Sequence, residues 1–405
     1  MRVVHKYGGT SVGSLGRIRA TAKLIQQDLA RGNEVAVVVS AMSGETNRLI
    51  AMAQKIDGNA PAREMDALVA TGEQVSAALL AMELNHLGIS AYSYSGSQAG
   101  FRTNSSHARA RIKGVESEPL IRHMQTGEVP VVTGFQGSDE HGNITTLGRG
   151  GSDTSAVALA VAVKADVCDI YTDVNGIYTT DPRIVPQASK LQEISYEEML
   201  EFASLGAKVL QTRSVELAMR FNMPIHLRSS FEDVTGTMVN GEDRGMERAE
   251  ITGVAYNRDE AKVTIKGIPD QPGIAARIFG PVADADINVD VIVQNVSEQG
   301  FTDMTFTVPR NDYAATMALL EGLRIEMKAE KVKGDDTVAK VSIIGVGMRS
   351  HAGVARKMFD VLANENINIQ MIATSEIKVT VVLEEKYVEL AVRSLHSAFH
   401  LDTEE

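Results

Sequence analysis

The chain has 405 residues, enough for two or three domains with sizeable cores. Its 52 acidic and 40 basic side chains leave a net charge of −12, which argues against a general nucleic-acid or anionic-membrane surface, since both need a basic face. A single cysteine, Cys168, excludes an intramolecular disulfide and fits a reducing compartment.

The first residues show no leader pattern. They enter a strand-like run, Val3-Val4, that ends in Lys6-Tyr7-Gly8-Gly9-Thr10-Ser11. One cation, two glycines and two hydroxyls at a strand end make a place to hold phosphate; the same Gly-Gly-Thr also makes ordinary turns. Helical patterns follow at Ser14 to Ala30, Glu64 to Leu87 and Ser152 to Lys164. Continuous β-branched runs at Val35 to Ser40, Val129 to Thr133 and Val167 to Thr172 read as buried strands. This alternation predicts an α/β domain with a largely parallel sheet up to about residue 240. The most apolar helical stretch, Ala156 to Ala165, is about half the length of a bilayer span, so cytoplasm is the expected location.

Residues 232 to 248 lose periodicity and read as a linker. Beyond them lies a repeat. Gly273-Ile274-Ala275 resembles Gly353-Val354-Ala355, and Ile287-Asn288-Val289 resembles Ile367-Asn368-Ile369, both at an offset of 80 residues. Each copy reads strand, helix, strand, strand, helix. The first copy has one more strand candidate, Arg324 to Val332, which the second lacks. The run Ile251 to Tyr256 is expected to complete the second copy, so that the first is inserted within it. The expected domains are 1–245, 260–333, and 249–258 with 338–405.

Four glycine- and hydroxyl-rich turns follow predicted strands, and loops of that kind gather where ligands bind in a parallel sheet. They are Lys6 to Ser11, Ser40 to Asn47, Gly134 to Ser138, and Leu147-Gly148-Arg149-Gly150-Gly151-Ser152-Asp153-Thr154-Ser155. In the fourth, Ser152 is expected to cap a helix whose free N–H groups favour an anion. Arg149 suits a carboxylate or phosphate, and Asp153 could orient a lysine. A capped helix with a solvated Arg is the plainer alternative. Glu73, in Thr71-Gly72-Glu73, is either a favourable charge at a helix start or a partner for an ammonium. The stretch Tyr171 to Arg183 offers hydroxyls, carboxylates and an Arg to a nucleotide, or forms a turn. The P-loop and dinucleotide glycine motifs are absent, as is paired HExxH, and no resident metal site is expected.

The segments KYGGTS, SAMSGETN, ATGE, GRGGSDTS and TDVNGIYTTDPR, in this order and followed by a tandem repeat, closely resemble aspartate kinases over essentially the whole chain. That family usually carries Phe where this chain has Tyr7. The resemblance implies an amino acid kinase fold followed by two ACT domains of βαββαβ topology. It implies phosphorylation of L-aspartate by ATP with Mg²⁺, the first step toward lysine, threonine and methionine. By resemblance, Lys6 reaches the transferring phosphoryl group and Asp153 holds that lysine. Ser40, Thr46, Glu73, Arg149, Gly150, Gly151 and Ser152 line the aspartate side. Lys6, Tyr7, Gly8, Gly9, Thr172, Asp173, Tyr178, Arg183 and Lys208 serve the nucleotide. Lysine, threonine or both are expected at ACT interfaces, with Asp270 and Gln294 in the first copy and Ser375 and Glu376 in the second. A homo-oligomer through the ACT domains is expected, with neither nucleic acid nor membrane as partner. Two rivals are a kinase of the same fold acting on another acid or a nucleotide, and a non-catalytic amino-acid sensor. GRGGSDTS and the ACT pair weigh against the first, Lys6 and Asp153 against the second.

Overall fold

The structure, a computed structural model, describes residues 1–206, 209–241, 251–296, 300–346, 348 and 353–402. The chain divides into two compact units: Met1–Ile177 with Lys190–Gly245, and Tyr178–Ser189 with Met246–Glu405.

The first unit runs β1 (Arg2–Tyr7), α1 (Leu15–Ala30), β2 (Glu34–Val39), α2 (Glu45–Ile56), α3 (Ala62–Val69), α4 (Thr71–His86), β3 (Ala91–Tyr94), β4 (Phe101–Thr103), β5 (Ile112–Val115), α5 (Glu118–Gln125), β6 (Val129–Thr133), β7 (Gln136–Ser138), β8 (Ile144–Thr146), α6 (Gly151–Ala162) and β9 (Val167–Thr172). After β10 (Ile177–Tyr178) and β11 (Lys190–Leu191) come β12 (Glu193–Ser195), α7 (Tyr196–Ser204), α8 (Thr212–Phe221), β13 (Ile225–Ser229) and β14 (Thr237–Asn240). The main sheet has the order β12-β14-β13-β9-β1-β2-β6-β3. Its central pairs, β9 with β1, β1 with β2 and β2 with β6, are parallel. This follows from sequence: residues 35–39 are continuous β-branched and alanine residues and are all buried, as a strand covered on both faces must be. A smaller sheet, β5-β4-β7-β8, lies beside it.

Two predicted elements differ in detail. The helix expected over Glu64 to Leu87 is broken at Ala70 into α3 and α4. The run Ala62–His86 has the length and apolarity of a membrane-crossing helix, but α4 packs Ala77, Leu80 and Leu84 into the core of the main sheet. The turn expected at Gly134 to Ser138 is only partly a turn, because Gln136–Ser138 is the wholly buried strand β7.

β1 carries opposite chemistry on its two faces. Behind the sheet, His5 is fully buried, with Nε2 3.2 Å from Asp28 and 3.4 Å from Asp169. His226 lies 3.2 Å from Asp169, and Arg31 and Arg228 stand 2.9 and 3.7 Å from Asp28 and Asp169. Donor atoms of His5, Asp28 and Asp169 lie within 4.8 Å of one another, yet each carboxylate already faces an arginine, as in an ion-pair network. Burial alone would lower the His5 pKa and raise those of both carboxyls; the mutual hydrogen bonds outweigh it, so His5 titrates above its ordinary range and Asp28 and Asp169 below theirs.

The second unit contains β15 (Gly253–Pro269), α9 (Ile274–Asp284), β16 (Asp290–Val296), β17 (Phe301–Val308), α10 (Tyr313–Glu326), β18 (Lys331–Ile344), α11 (Val354–Asn364), β19 (Met371–Thr374), β20 (Lys378–Glu384) and α12 (Val388–Ala398). They form one six-stranded antiparallel sheet in the order β16-β17-β15-β18-β20-β19, with two helix-backed cores. β15 and β18 are long enough to serve both copies. Lys262–Lys266 pairs with Lys331–Asp335 of the first copy, and Gly253–Asn257 pairs with Lys340–Ile344 of the second. The strand expected over Arg324 to Val332 begins only at Lys331, because α10 continues through Glu326. The segment Tyr178–Ser189, expected within 1–245, packs here: Ile184 and Val185 join the second core, and Thr179 Oγ1 lies 2.9 Å from His396 Nε2.

Replacing His5 by Leu leaves two buried carboxylates short of a partner. The expected cost is about 3–5 kcal/mol, read from the urea midpoint at neutral pH. An unchanged midpoint would contradict the network.

Candidate active site

Parallel pairing puts the ends of β1, β2, β6 and β9 at one edge of the first unit, and the glycine turns stand there. The Gly8 N–H is donated to the Tyr171 carbonyl at 3.3 Å, while that of Gly9 has no acceptor among the described residues. A Cβ on Gly9 would come within 2.9 Å of the Ala41 carbonyl, so only glycine lets the first two loops meet. They are joined by Ser40 N–H to Tyr7 O at 3.0 Å and Ser43 N–H to Gly9 O at 3.1 Å.

Lys6 Nζ lies 2.7 Å from Asp153 Oδ1, with both side chains nearly buried. Asp153 is in the first turn of α6, whose first ten residues are all buried. That helix opens on Gly150 in a left-handed conformation (φ 70°), not on a Ser152 cap; Ser152 lies inside the first turn. Any side chain at Gly150 would collide with Gln211. Next to it, Arg149 is exposed and has no ion-pair partner among the described residues. Phe135, between β6 and β7, holds φ 67°, a strained value for a bulky residue. Its N–H donates to Ser155 Oγ at 3.0 Å, and its carbonyl accepts Leu147 N–H at 2.9 Å, so it splices the third loop to the fourth.

Glu73 is 3 % exposed. Its Oε1 accepts from Ala41 N–H at 3.2 Å, and its Oε2 has no partner among the described residues. Burial drives its pKa up to about 7, opposed by backbone hydrogen bonds. Gly72 allows this close approach, since a Cβ there would lie 2.9 Å from that of Ala41. Ser40 and Thr46 are half-buried beside it in the second loop, Thr46 in the first turn of α2. One unpaired cation, one ion-paired ammonium, a helix N-terminus and a carboxylate with one oxygen lacking a donor among the described residues thus share one edge. That set suits a substrate carrying carboxylate, ammonium and phosphoryl groups.

The amino acid kinase family model matches residues 1–229, and ACT domain models match residues 263–324 and 341–399. An aspartate kinase of Stutzerimonas stutzeri is 56% identical over 401 residues, covering 99% of this chain and 97% of that one. One of Pseudomonas putida is 57% identical, covering 99% and 98%. The chain belongs to the aspartate kinase family. Among solved structures, E. coli aspartokinase III in complex with aspartate and ADP is similar with a TM-score of 0.82 at 28% identity, covering 98% of this chain and 99% of that one. The same enzyme with lysine and aspartate gives 0.76.

The remaining residues expected at the site stand in different places. Thr172 ends β9 and Asp173 follows it; the Thr172 carbonyl accepts from Ser230 N–H at 3.0 Å, and Ser230 Oγ lies 2.7 Å from Ser11 Oγ. Tyr7 is fully buried, stacked on Tyr171 at 4.7 Å with its hydroxyl 3.3 Å from His5 Nδ1, so its side chain faces the core rather than a nucleotide. Tyr178 and Arg183 belong to the second unit, where Arg183 is paired with Asp181 at 2.8 Å. Lys208 lies outside the described residues. In the ACT copies, Asp270 follows β15, Gln294 lies on edge-strand β16, and Ser375 and Glu376 form the β19–β20 turn; all four are exposed.

Sequence reasoning missed two residues that support the fourth loop. Asp66 is 1 % exposed and Arg213 half-buried, and both bond to the base of that loop. The signal for Asp66 was an acidic residue at a buried helical position.

Glu73 gives a pH test. Its pKa is higher folded than unfolded, so the folded state binds the extra proton between about pH 4.5 and 7, and its ionisation costs stability as pH rises through that window. Against the parent, Glu73→Gln should gain up to about 3 kcal/mol between pH 5 and pH 8 in denaturant unfolding. Parallel pH profiles of variant and parent would rule out a raised pKa.

Proposed function

We propose that this chain transfers the γ-phosphoryl group of ATP to the β-carboxylate of L-aspartate, giving 4-phospho-L-aspartate and ADP. The observation that carries this reading is the Lys6–Asp153 ion pair at the end of β1, with the unpartnered Glu73 oxygen and the unpaired Arg149 at the same edge. The β-carboxylate is already ionised at neutral pH and needs no general base. The barrier is repulsion between anions, so catalysis rests on positioning and charge neutralisation.

In this reading Lys6 carries the positive charge that meets the phosphoryl group in transfer. Asp153 holds the ammonium on its strand without quenching it, because each is still partly open to the site. Gly9 offers a backbone N–H with no acceptor among the described residues. Arg149 takes the α-carboxylate in a two-point contact, supported by the N-terminus of α6 at Gly150, Gly151 and Ser152. Glu73 takes the ammonium, and gaining that partner returns its pKa toward the ordinary carboxylate range. Ser40 and Thr46 flank the substrate, and Thr172, Asp173 and Lys208 serve the nucleotide. Mg²⁺ enters with ATP, held by phosphate oxygens and water.

The domain reading we adopt is nested, with 260–333 inserted between 249–258 and 338–405, and 1–245 without Tyr178–Ser189 as the remaining domain; pairing of Gly253–Asn257 with Lys340–Ile344 supports the nesting. The ACT copies sense lysine, threonine or both, at surfaces that include Asp270, Gln294, Ser375 and Glu376, within a cytoplasmic homo-oligomer. Exposed apolar side chains on the edge strands, Ile292 on β16 and Ile372 on β19, are consistent with assembly through this sheet.

Two substitutions test the assignment in a coupled assay for ADP. Lys6→Ala should lower kcat by about 10²–10³-fold with a far smaller change in the KM for ATP; parent-like turnover would sink the role given to Lys6. Arg149→Ala should raise the KM for aspartate and leave that for ATP nearly intact, and a selective loss of ATP binding would contradict it.

A further inference from the structure

We infer that Asp66 is a positioning residue that holds the ammonium-binding and carboxylate-binding ends of the amino-acid site in one rigid frame, and so fixes how far the substrate's side-chain carboxylate reaches. The inference rests on the proposed roles of Glu73 and Arg149.

Asp66 and Glu73 stand on one buried stripe. Asp66, Val69, Ala70 and Glu73 follow helical spacing across the α3–α4 junction, and each is less than 5 % exposed. The Asp66 carboxylate is saturated by the other end of the site. Oδ1 accepts from Thr146 Oγ1 at 2.5 Å and Ala108 N–H at 3.0 Å; Oδ2 accepts from Thr146 N–H at 3.1 Å and lies 2.8 Å from His107 Nδ1. Thr146 is three residues before Arg149. The Arg213 guanidinium closes the same splice, donating to the Leu147 and Ala110 carbonyls at 3.0 and 2.9 Å, while Ala110 N–H donates to Thr146 O at 2.8 Å. Gly148 cannot carry a Cβ without approaching Ala108 O to 3.0 Å. One carboxylate therefore locks the segment leading into Arg149 to the helical stripe that ends at Glu73. A second tie runs from the α3–α4 junction, where Gln136 Nε2 donates to Ala70 O at 2.9 Å. Aspartate and glutamate share both α groups and differ by one methylene beyond them, so the selectivity between them depends on how rigidly the two α-group anchors are held while the side-chain carboxylate reaches the phosphoryl group.

The test is steady-state kinetics of Asp66→Asn with aspartate and with glutamate. Asparagine replaces an acceptor by an NH₂ group facing N–H and O–H donors, so the brace loosens without loss of volume. The KM for aspartate should rise at least about 10-fold, and the aspartate-over-glutamate ratio of kcat/KM should fall at least about 5-fold, while the KM for ATP stays within about 2-fold. Thr146→Val, which removes one hydrogen bond to the same carboxylate, should move the ratio in the same direction, and it carries the test if Asp66→Asn does not fold. Parent-like selectivity, or equal rises in the KM values for ATP and aspartate, would overturn the inference. Arg149→Ala separates the two claims: if it raises the KM for aspartate and Asp66→Asn does not, only the brace is wrong; if it leaves that KM unchanged, the carboxylate role of Arg149 fails.

Discussion

An ammonium must wait where two anions will meet, and it must not wander. On the role proposed for it, Lys6 meets that constraint by sitting at the end of the central strand with the Asp153 carboxylate 2.7 Å away. The arrangement constrains everything around it. The strand must be central, so that neighbours on both sides bring their loops to the same edge, and its flanks must be β-branched and dry. The helix that carries Asp153 must begin directly over the strand end. A left-handed Gly150 makes that start possible, and the burial of all ten following residues fixes it.

The strand is fixed from behind as well. Period-two alternation sends Lys6 to one face and His5 and Tyr7 to the other. On that hidden face the charges are spent on structure: His5 joins α1 through Asp28 and joins β9 through Asp169, and Tyr7 stacks on Tyr171 of β9. A buried ion pair of this kind is a poor source of net stability, because desolvation consumes most of what Coulomb attraction returns. What it supplies is register. A slip of β1 by one residue would put Lys6 into the core and His5 into the site.

Much of this was legible in the sequence, for a physical reason. Strand ends that bind ligands need glycines and hydroxyls in fixed order, so Lys6–Ser11, Ser40–Asn47 and Leu147–Ser155 announce themselves. The repeat was legible because both copies keep one offset, and because the strand missing from the second left Ile251–Tyr256 without another use. Less legible was anything set by distant packing. The segment Tyr178–Ser189 reads as a continuation of the nucleotide loop, but Ile184 and Val185 are apolar and find their core among residues some two hundred positions later. Tyr7 was read as part of a surface motif, although alternation from Lys6 already turns it inward. The strain at Phe135 leaves no mark in composition, since any residue between Gly134 and Gln136 would read as a turn.

The helical stripe from Asp66 to Glu73 shows how structure and specificity become one problem. A carboxylate is among the worst residues to bury, and this stripe buries two of them seven positions apart. They are treated in opposite ways. Asp66 receives donors from Thr146, Ala108 and His107, so it is a settled part of the fold. Glu73 is left with one oxygen unmatched and a pKa raised to about 7, so it keeps an unmet demand for a cation. The same stretch of backbone therefore holds an acid whose partners are built in beside an acid whose partner must come from outside. On the roles proposed above, the first keeps the second in place, because an ammonium presented off that position would leave the Glu73 oxygen as costly as it is with nothing bound.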